Sequence, residues 1–216
     1  NKLKKSGKKV YKFGFGQSPF PVPESIVSAL KNNANKNTYL PMQGLEELRL
    51  AIANQLKQSN NNDFVAEDII VGPGTKELMF LTQIAFAGEI LLSAPSWVSY
   101  QPQAIIANNK VHWIQTSSSS NWFPTAEQLE NKIKSIKNQN LILFMNSPNN
   151  PSGMICKNLQ EIAEVAKKHK LIILSDEIYS RLTFDNQYKS ISNFYPEGTI
   201  VSTGLSKWCG AGGWRL

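Results

Sequence analysis

Ser206 and Lys207 follow a strand-like run, Thr199 to Thr203, and lead into Gly210, Ala211, Gly212 and Gly213, with Arg215 beyond. A lysine held among glycines at the end of a buried strand has a chemical use. An ammonium desolvated near other cations loses its proton more readily, and the free amine attacks a carbonyl to form a Schiff base. The glycines let backbone approach a ligand closely, and an arginine fork matches a phosphate. The same stretch also reads as a surface lysine in a glycine-rich loop, and taken alone it does not separate the two.

Other polar residues fall at comparable places. Gly72-Pro73-Gly74-Thr75-Lys76 lies between an apolar run and a helical pattern, so its free backbone N–H groups suit a phosphate, although the Gly-x-x-x-x-Gly-Lys spacing is absent. Ala94-Pro95-Ser96-Trp97 closes another run with an aromatic. Asn146 to Gly153, Asn-Ser-Pro-Asn-Asn-Pro-Ser-Gly, closes a third, and Ser175-Asp176-Glu177-Ile178-Tyr179 ends a fourth with a carboxylate and a phenol. Singly these read as a turn, a core tryptophan, an Asn-Pro turn and a helix cap. Together, at successive strand ends, they argue for one site.

The elements that must position them alternate along the chain. Strands are expected at Ile69–Val71, Glu89–Ser93, Val111–Gln115, Leu141–Met145, Leu171–Leu174 and Thr199–Thr203. Between them come helical patterns at Thr75–Phe86 and Tyr100–Ala107, a helix opened by the capping box Thr125-Ala-Glu-Gln128, and one capped at Asn158. Before them lie an extended Val10–Phe13, a rigid Gly/Pro loop from Gly14 to Pro23, and a short helix from Glu24 with Ile26, Val27 and Leu30 as its apolar side. The Gly14-x-Gly16 pair is no dinucleotide fingerprint, because no third glycine follows in place. From Gly44 the period is helical, with Leu45, Leu48, Ile52 and Leu56 on one face. All-apolar strands alternating with helices predict an α/β fold whose mostly parallel sheet is covered on both faces, a three-layer sandwich. In such sheets ligands bind beyond the carboxyl ends of the strands. The polar run Asn32–Asn37 marks the expected domain boundary.

Composition bounds the function. A chain of 216 residues with 41% hydrophobic residues buries a sizeable core. No apolar run reaches the roughly 20 residues of a bilayer crossing, and no signal-peptide pattern is present. Cys156 and Cys209 form no CxxC pair, and with His112 and His169 they make no metal set, so a reduced, cytoplasmic protein is expected. Lys2, Lys4, Lys5, Lys8 and Lys9 carry five of the seven net positive charges. A basic run at a chain end reads as a solvated tail, and no nucleic-acid-binding motif accompanies it.

The Gly204–Leu216 segment is similar, as far as it goes, to the lysine signature of the class I/II, aspartate aminotransferase-like enzymes of pyridoxal-phosphate fold type I; Asn146–Gly153 and Ser175–Tyr179 also resemble the family's forms. The likeness runs from Gly16 to Leu216. It implies that residues 38–216 belong to the cofactor-binding large domain and residues 1–37 to the N-terminal part of a small domain. It further implies a PLP-dependent aminotransferase that moves an amino group between an L-amino acid and a 2-oxo acid. Lys207 would carry the cofactor as a Schiff base and shuttle the substrate's α-proton. Asp176 would face the pyridine nitrogen, and Tyr179 and Asn150 the ring's phenolate oxygen. Trp97 would stack on the ring and border the substrate. Gly74, Thr75, Lys76, Ser206 and Arg215 would surround the phosphate. Tyr39 would reach the phosphate of a second subunit, which implies a homodimer with shared sites. Gly16 and the Asn150 amide would meet the substrate carboxylate. No metal, nucleic acid or membrane is implied.

The chain departs from the family's pattern in three places. Pro73 and Thr75 stand in a loop that varies widely. Tyr100 occupies a position where some relatives carry a histidine behind the aspartate. The family's carboxylate-clamping arginine has no counterpart up to Leu216, so the chain is expected to be part of a longer enzyme and inactive by itself. A β-eliminating or cyclopropane-forming lyase on the same fold, and an effector-sensing domain of a regulator, are the alternatives.

Overall fold

The computed structural model describes residues 2–11, 16–60, 63–138, 140–184 and 188–216. In chain order the helices are α1 (Lys2–Lys5), α2 (Glu24–Asn33), α3 (Glu46–Asn60), α4 (Thr75–Ala85), α5 (Tyr100–Ile106), α6 (Ala126–Lys134) and α7 (Leu159–His169). The strands are β1 (Glu89–Ala94), β2 (Val111–Gln115), β3 (Leu141–Asn146), β4 (Ile172–Asp176) and β5 (Thr199–Ser202). They form one sheet in the order β2-β1-β3-β4-β5, and every neighbouring pair is parallel.

The inner strands β1, β3 and β4 are mostly apolar and buried because the period-two alternation of their side chains serves two cores, whereas the edge strands β2 and β5 carry polar and partly exposed residues. Leu91, Leu143, Met145 and Ile173 face one side, where they meet Leu129 and Ile133 of α6 and Ile162, Ala163 and Ala166 of α7. Ile90, Leu92, Ile142, Phe144 and Leu174 face the other, against Met79 of α4 and Tyr100 and Ala104 of α5. The result is the three-layer sandwich that the alternation predicts. Register then lines up the strand ends: Asn146 lies opposite Asp176, and Asp176 opposite Ser202.

Local details bear on the expected elements. Thr125 makes its capping box, accepting from Gln128 N at 3.1 Å while Gln128 Oε1 accepts from Thr125 N at 2.9 Å. Asn158 stands at the N-cap of α7 but makes no side-chain cap bond. Its amide donates to Pro124 O and its carbonyl oxygen accepts from the Cys156 thiol, so neither is left for the helix. The expected strand at Ile69–Val71 does not join the sheet. Strand propensity needs a partner ladder, and here Ile69 N–H bonds back to Ala66 O while Val71 N–H reaches Gln43 O. Ile70 and Val71 instead border a cavity of about 470 Å³, shared with Val201 of β5 and with Leu48, Ile52 and Leu56 of the apolar face of α3. In α2, Ile26 and Val27 are half-buried and Leu30 is exposed. The extended run expected at Val10–Phe13 lies partly outside the described residues, as does Gly14.

Two substitutions test this packing. Leu143→Ala removes a fully buried side chain from the central strand and is expected to cost about 2–5 kcal/mol in denaturant unfolding. Thr125→Ala should cost about 1 kcal/mol through the lost cap alone.

Candidate active site

Beyond the carboxyl ends of the strands opens a cavity of about 770 Å³. Most of its walls are strand-end loops, as expected of a parallel sheet. Trp97 comes from the turn after β1, Asn146 and Asn150 from the end of β3, Asp176 and Tyr179 from that of β4, and Ser206 and Lys207 from the loop after β5. The start of α4 adds Thr75 and Lys76, and Gly16 and Gln17 close one side from the N-terminal segment.

Lys207 Nζ donates to the Gly16 carbonyl at 2.8 Å and lies 5.7 Å from the centre of the Tyr179 ring. Asn150 Nδ2 donates to Tyr179 Oη at 3.4 Å. Trp97 has two ring contacts: it meets Tyr100 edge-on at 5.3 Å, and Lys76 Nζ lies 5.6 Å from the ring centre. Arg215 adopts a left-handed backbone (φ 60°), and its guanidinium donates to Gly212 O at 2.9 Å and Pro73 O at 3.2 Å. Gly74, at φ 90°, caps α4, and a Cβ there would run into that guanidinium. Glycine is therefore needed at this position for both space and backbone conformation.

Asp176 is the electrostatic centre. It is 4% exposed, and burial pushes its carboxyl up to about 6. The Tyr100 hydroxyl, donating to Oδ2 at 2.6 Å, the Ile178 N–H, donating to Oδ1 at 3.3 Å, and the Lys207 charge pull the other way. Burial also raises the Tyr179 phenol, against the Asn150 hydrogen bond.

The cavity thus gathers Lys207, Asp176, Tyr179, Trp97, Asn150, Thr75, Lys76, Ser206, Arg215 and Gly16. Two expected residues stand outside it. Gly74 backs onto Arg215 and faces the smaller cavity instead. Tyr39 is fully exposed on a segment of its own with Met42. One contributor has no role in the sequence reading. Asn146 is buried, its Oδ1 accepting from Asn150 N at 2.7 Å and its Nδ2 donating to Asp176 O at 2.9 Å. It ties the ends of β3 and β4 together. The signal was a lone amide closing an otherwise apolar strand.

The family model described as "Aminotransferase class I and II" matches residues 8–216. The chain belongs to this family. It is 33% identical to the aspartate aminotransferase of Bacillus sp. strain YM-2, over 99% of this chain and 57% of that protein. The structure of Thermus thermophilus aspartate aminotransferase with maleate superposes with a TM-score of 0.91 at 28% identity, over 99% of this chain and 57% of the other. For the aromatic aminotransferase of Pyrococcus horikoshii the score is 0.85 at 33% identity, over 94% and 56%. The chain therefore spans somewhat more than half the length of these relatives. Enzymes of this family depend on pyridoxal phosphate, and the residues present fit that group. Among the described residues the hydrogen bonds to the buried Asp176 carboxylate come from neutral donors, which suits a cationic or N–H partner, and the helix start beside Ser206 and Arg215 suits an anion.

A buried acid whose folded pKa is raised holds its proton more tightly when folded. Stability then falls as pH rises from about 4 through about 6. Asp176→Asn should accordingly raise the melting temperature of the ligand-free protein at pH 8, by the equivalent of up to about 3 kcal/mol. The gain should shrink towards pH 4, as measured by calorimetry across that range.

Proposed function

We propose that the protein is a pyridoxal-phosphate-dependent aminotransferase that moves an amino group between an L-amino acid and a 2-oxo acid. The observation that carries this reading is the Lys207 amine and the buried Asp176 carboxylate on one cavity. Pyridoxal phosphate, when bound, supplies an electron sink for the electron pair left at the substrate's α-carbon. Asp176 would hold a proton at the ring nitrogen, and its burial would strengthen that pairing. Lys207 would hold the cofactor through Nζ, and its amine would serve to hold and move the α-proton. Tyr179 and Asn150, bonded to each other, would meet the ring oxygen. Thr75, Lys76, Ser206 and Arg215, on the same cavity as Trp97, would hold the phosphate, and Trp97 would shield the ring from water.

The expected division near residue 37 and the expected homodimer belong to the same reading. The bond from Lys207 to Gly16 ties the N-terminal segment to the site, and exposed Tyr39, Leu40 and Met42 suit contact with a second copy. Among the described residues no helix is long and apolar enough to cross a membrane, and both cysteines are buried and outside any disulfide, which suits the expected cytoplasmic setting.

Borohydride reduction of the cofactor-loaded full-length protein should leave the label on Lys207; a label on Lys76, or on no lysine, overturns the reading. Breaking a buried charge pair costs about 3–5 kcal/mol, so Asp176→Ala should lose roughly two to four decades in turnover, with Asp176→Glu retaining more. Formation of a new amino acid without stoichiometric ammonia separates transfer from elimination.

A further inference from the structure

We propose that the stacked Arg181 and Trp208 are a positioning pair for Lys207: their contact fixes, from behind, the turn that presents the Lys207 amine beside Tyr179. This rests on the pyridoxal-phosphate reading above. Two short segments carry these residues. Tyr179 precedes the short helical turn Ser180–Leu182 that follows β4, and Lys207 and Trp208 lie in the turn that follows β5. The segments meet twice. On the larger cavity, Lys207 Nζ lies 5.7 Å from the centre of the Tyr179 ring. On the smaller cavity, the Arg181 guanidinium lies 4.4 Å from the centre of the Trp208 ring. Trp208 is the next residue after Lys207, and Arg181 stands two beyond Tyr179. The two contacts therefore bracket the same pair of turns, one from each cavity.

The turn after β5 needs such an anchor. A lysine amine sits on a flexible four-carbon stem, so it is only as well placed as the backbone that carries it. Here that backbone runs into Gly210, Ala211, Gly212 and Gly213, and glycines leave a segment conformationally free. The bond from Lys207 Nζ to Gly16 O holds the far end of the side chain and not the turn itself. Trp208 is half-buried and is the largest side chain of the turn. A planar, weakly hydrated guanidinium suits its face. Misplacing a reacting group by even about 1 Å is costly to a reaction, so a contact that steadies this turn acts on the amine. Neither Arg181 nor Trp208 lines the larger cavity, and their effect on a ligand there passes through the turn.

The test compares two ligands of the same shape. A lysine amine condenses with the aldehyde of pyridoxal phosphate, losing one water, but not with pyridoxamine phosphate, which carries an amine in place of the aldehyde. The affinity of each for the ligand-free full-length protein is measured by equilibrium dialysis. The wild type should prefer the aldehyde. Trp208→Leu should cut that preference roughly two- to fivefold, the range of a cation–π contact, while leaving the affinity for pyridoxamine phosphate nearly unchanged. Arg181→Met, at an exposed position, should do the same, and it gives the comparison if the Trp208 variant is not recovered. The double variant should lose no more than either single one, because both remove the same contact. An unchanged preference in either variant, an equal fall for both ligands, or effects that add in the double variant overturns the proposal. A wild type that binds both ligands without preference overturns Lys207 as the covalent anchor, and one that binds neither overturns the pyridoxal-phosphate reading.

Discussion

A carboxylate taken out of water is the constraint on which the rest of this site depends. Asp176 sits at the last position of β4, where the strand still belongs to the core and the chain has reached the cavity. Its ion survives there because a phenol, a backbone N–H and a more distant amine favour the charged form against desolvation. The protein thus holds a charge in a place that disfavours it, which is the condition of a group kept for a ligand.

The sheet makes that placement possible. Parallel strands end together, and pairing places Asn146, Asp176 and Ser202 side by side. Asn146 then fastens two strand ends through one amide, holding Asn150 N and Asp176 O at once. The residue after β4, Glu177, is a second buried acid, which accepts hydrogen bonds from Ser175 and Ser190. Adjacent residues of one strand end therefore divide the work by the alternation of side chains. Asp176 turns to the cavity and Glu177 binds the strand end to the loop that follows.

Much of this was legible in the sequence. Apolar runs of five or six residues alternating with helical periods could bury themselves only as a parallel sheet between helix layers. The motifs at Asn146–Gly153, Ser175–Tyr179 and Ser206–Arg215 are local in sequence, and their turn formers left few conformations open. Lys207, Asp176, Tyr179, Asn150 and Trp97 were readable for that reason, and the structure brings all of them to one cavity.

What only the tertiary structure decided concerns partners far apart in the chain. Ile69–Val71 has strand propensity, yet pairing is a property of two segments, and its backbone bonds go to Ala66 and Gln43. Asn158 has the residue type of a cap, but Pro124 and Cys156 take its side chain. Gly74 proved to be set by a guanidinium far along the chain. The Tyr100–Asp176 bond joins residues 76 positions apart. Sequence spacing fixes the type and local geometry of each group. Which distant group it meets follows from strand register and the closing of α5 over the sheet, and no local pattern encodes that.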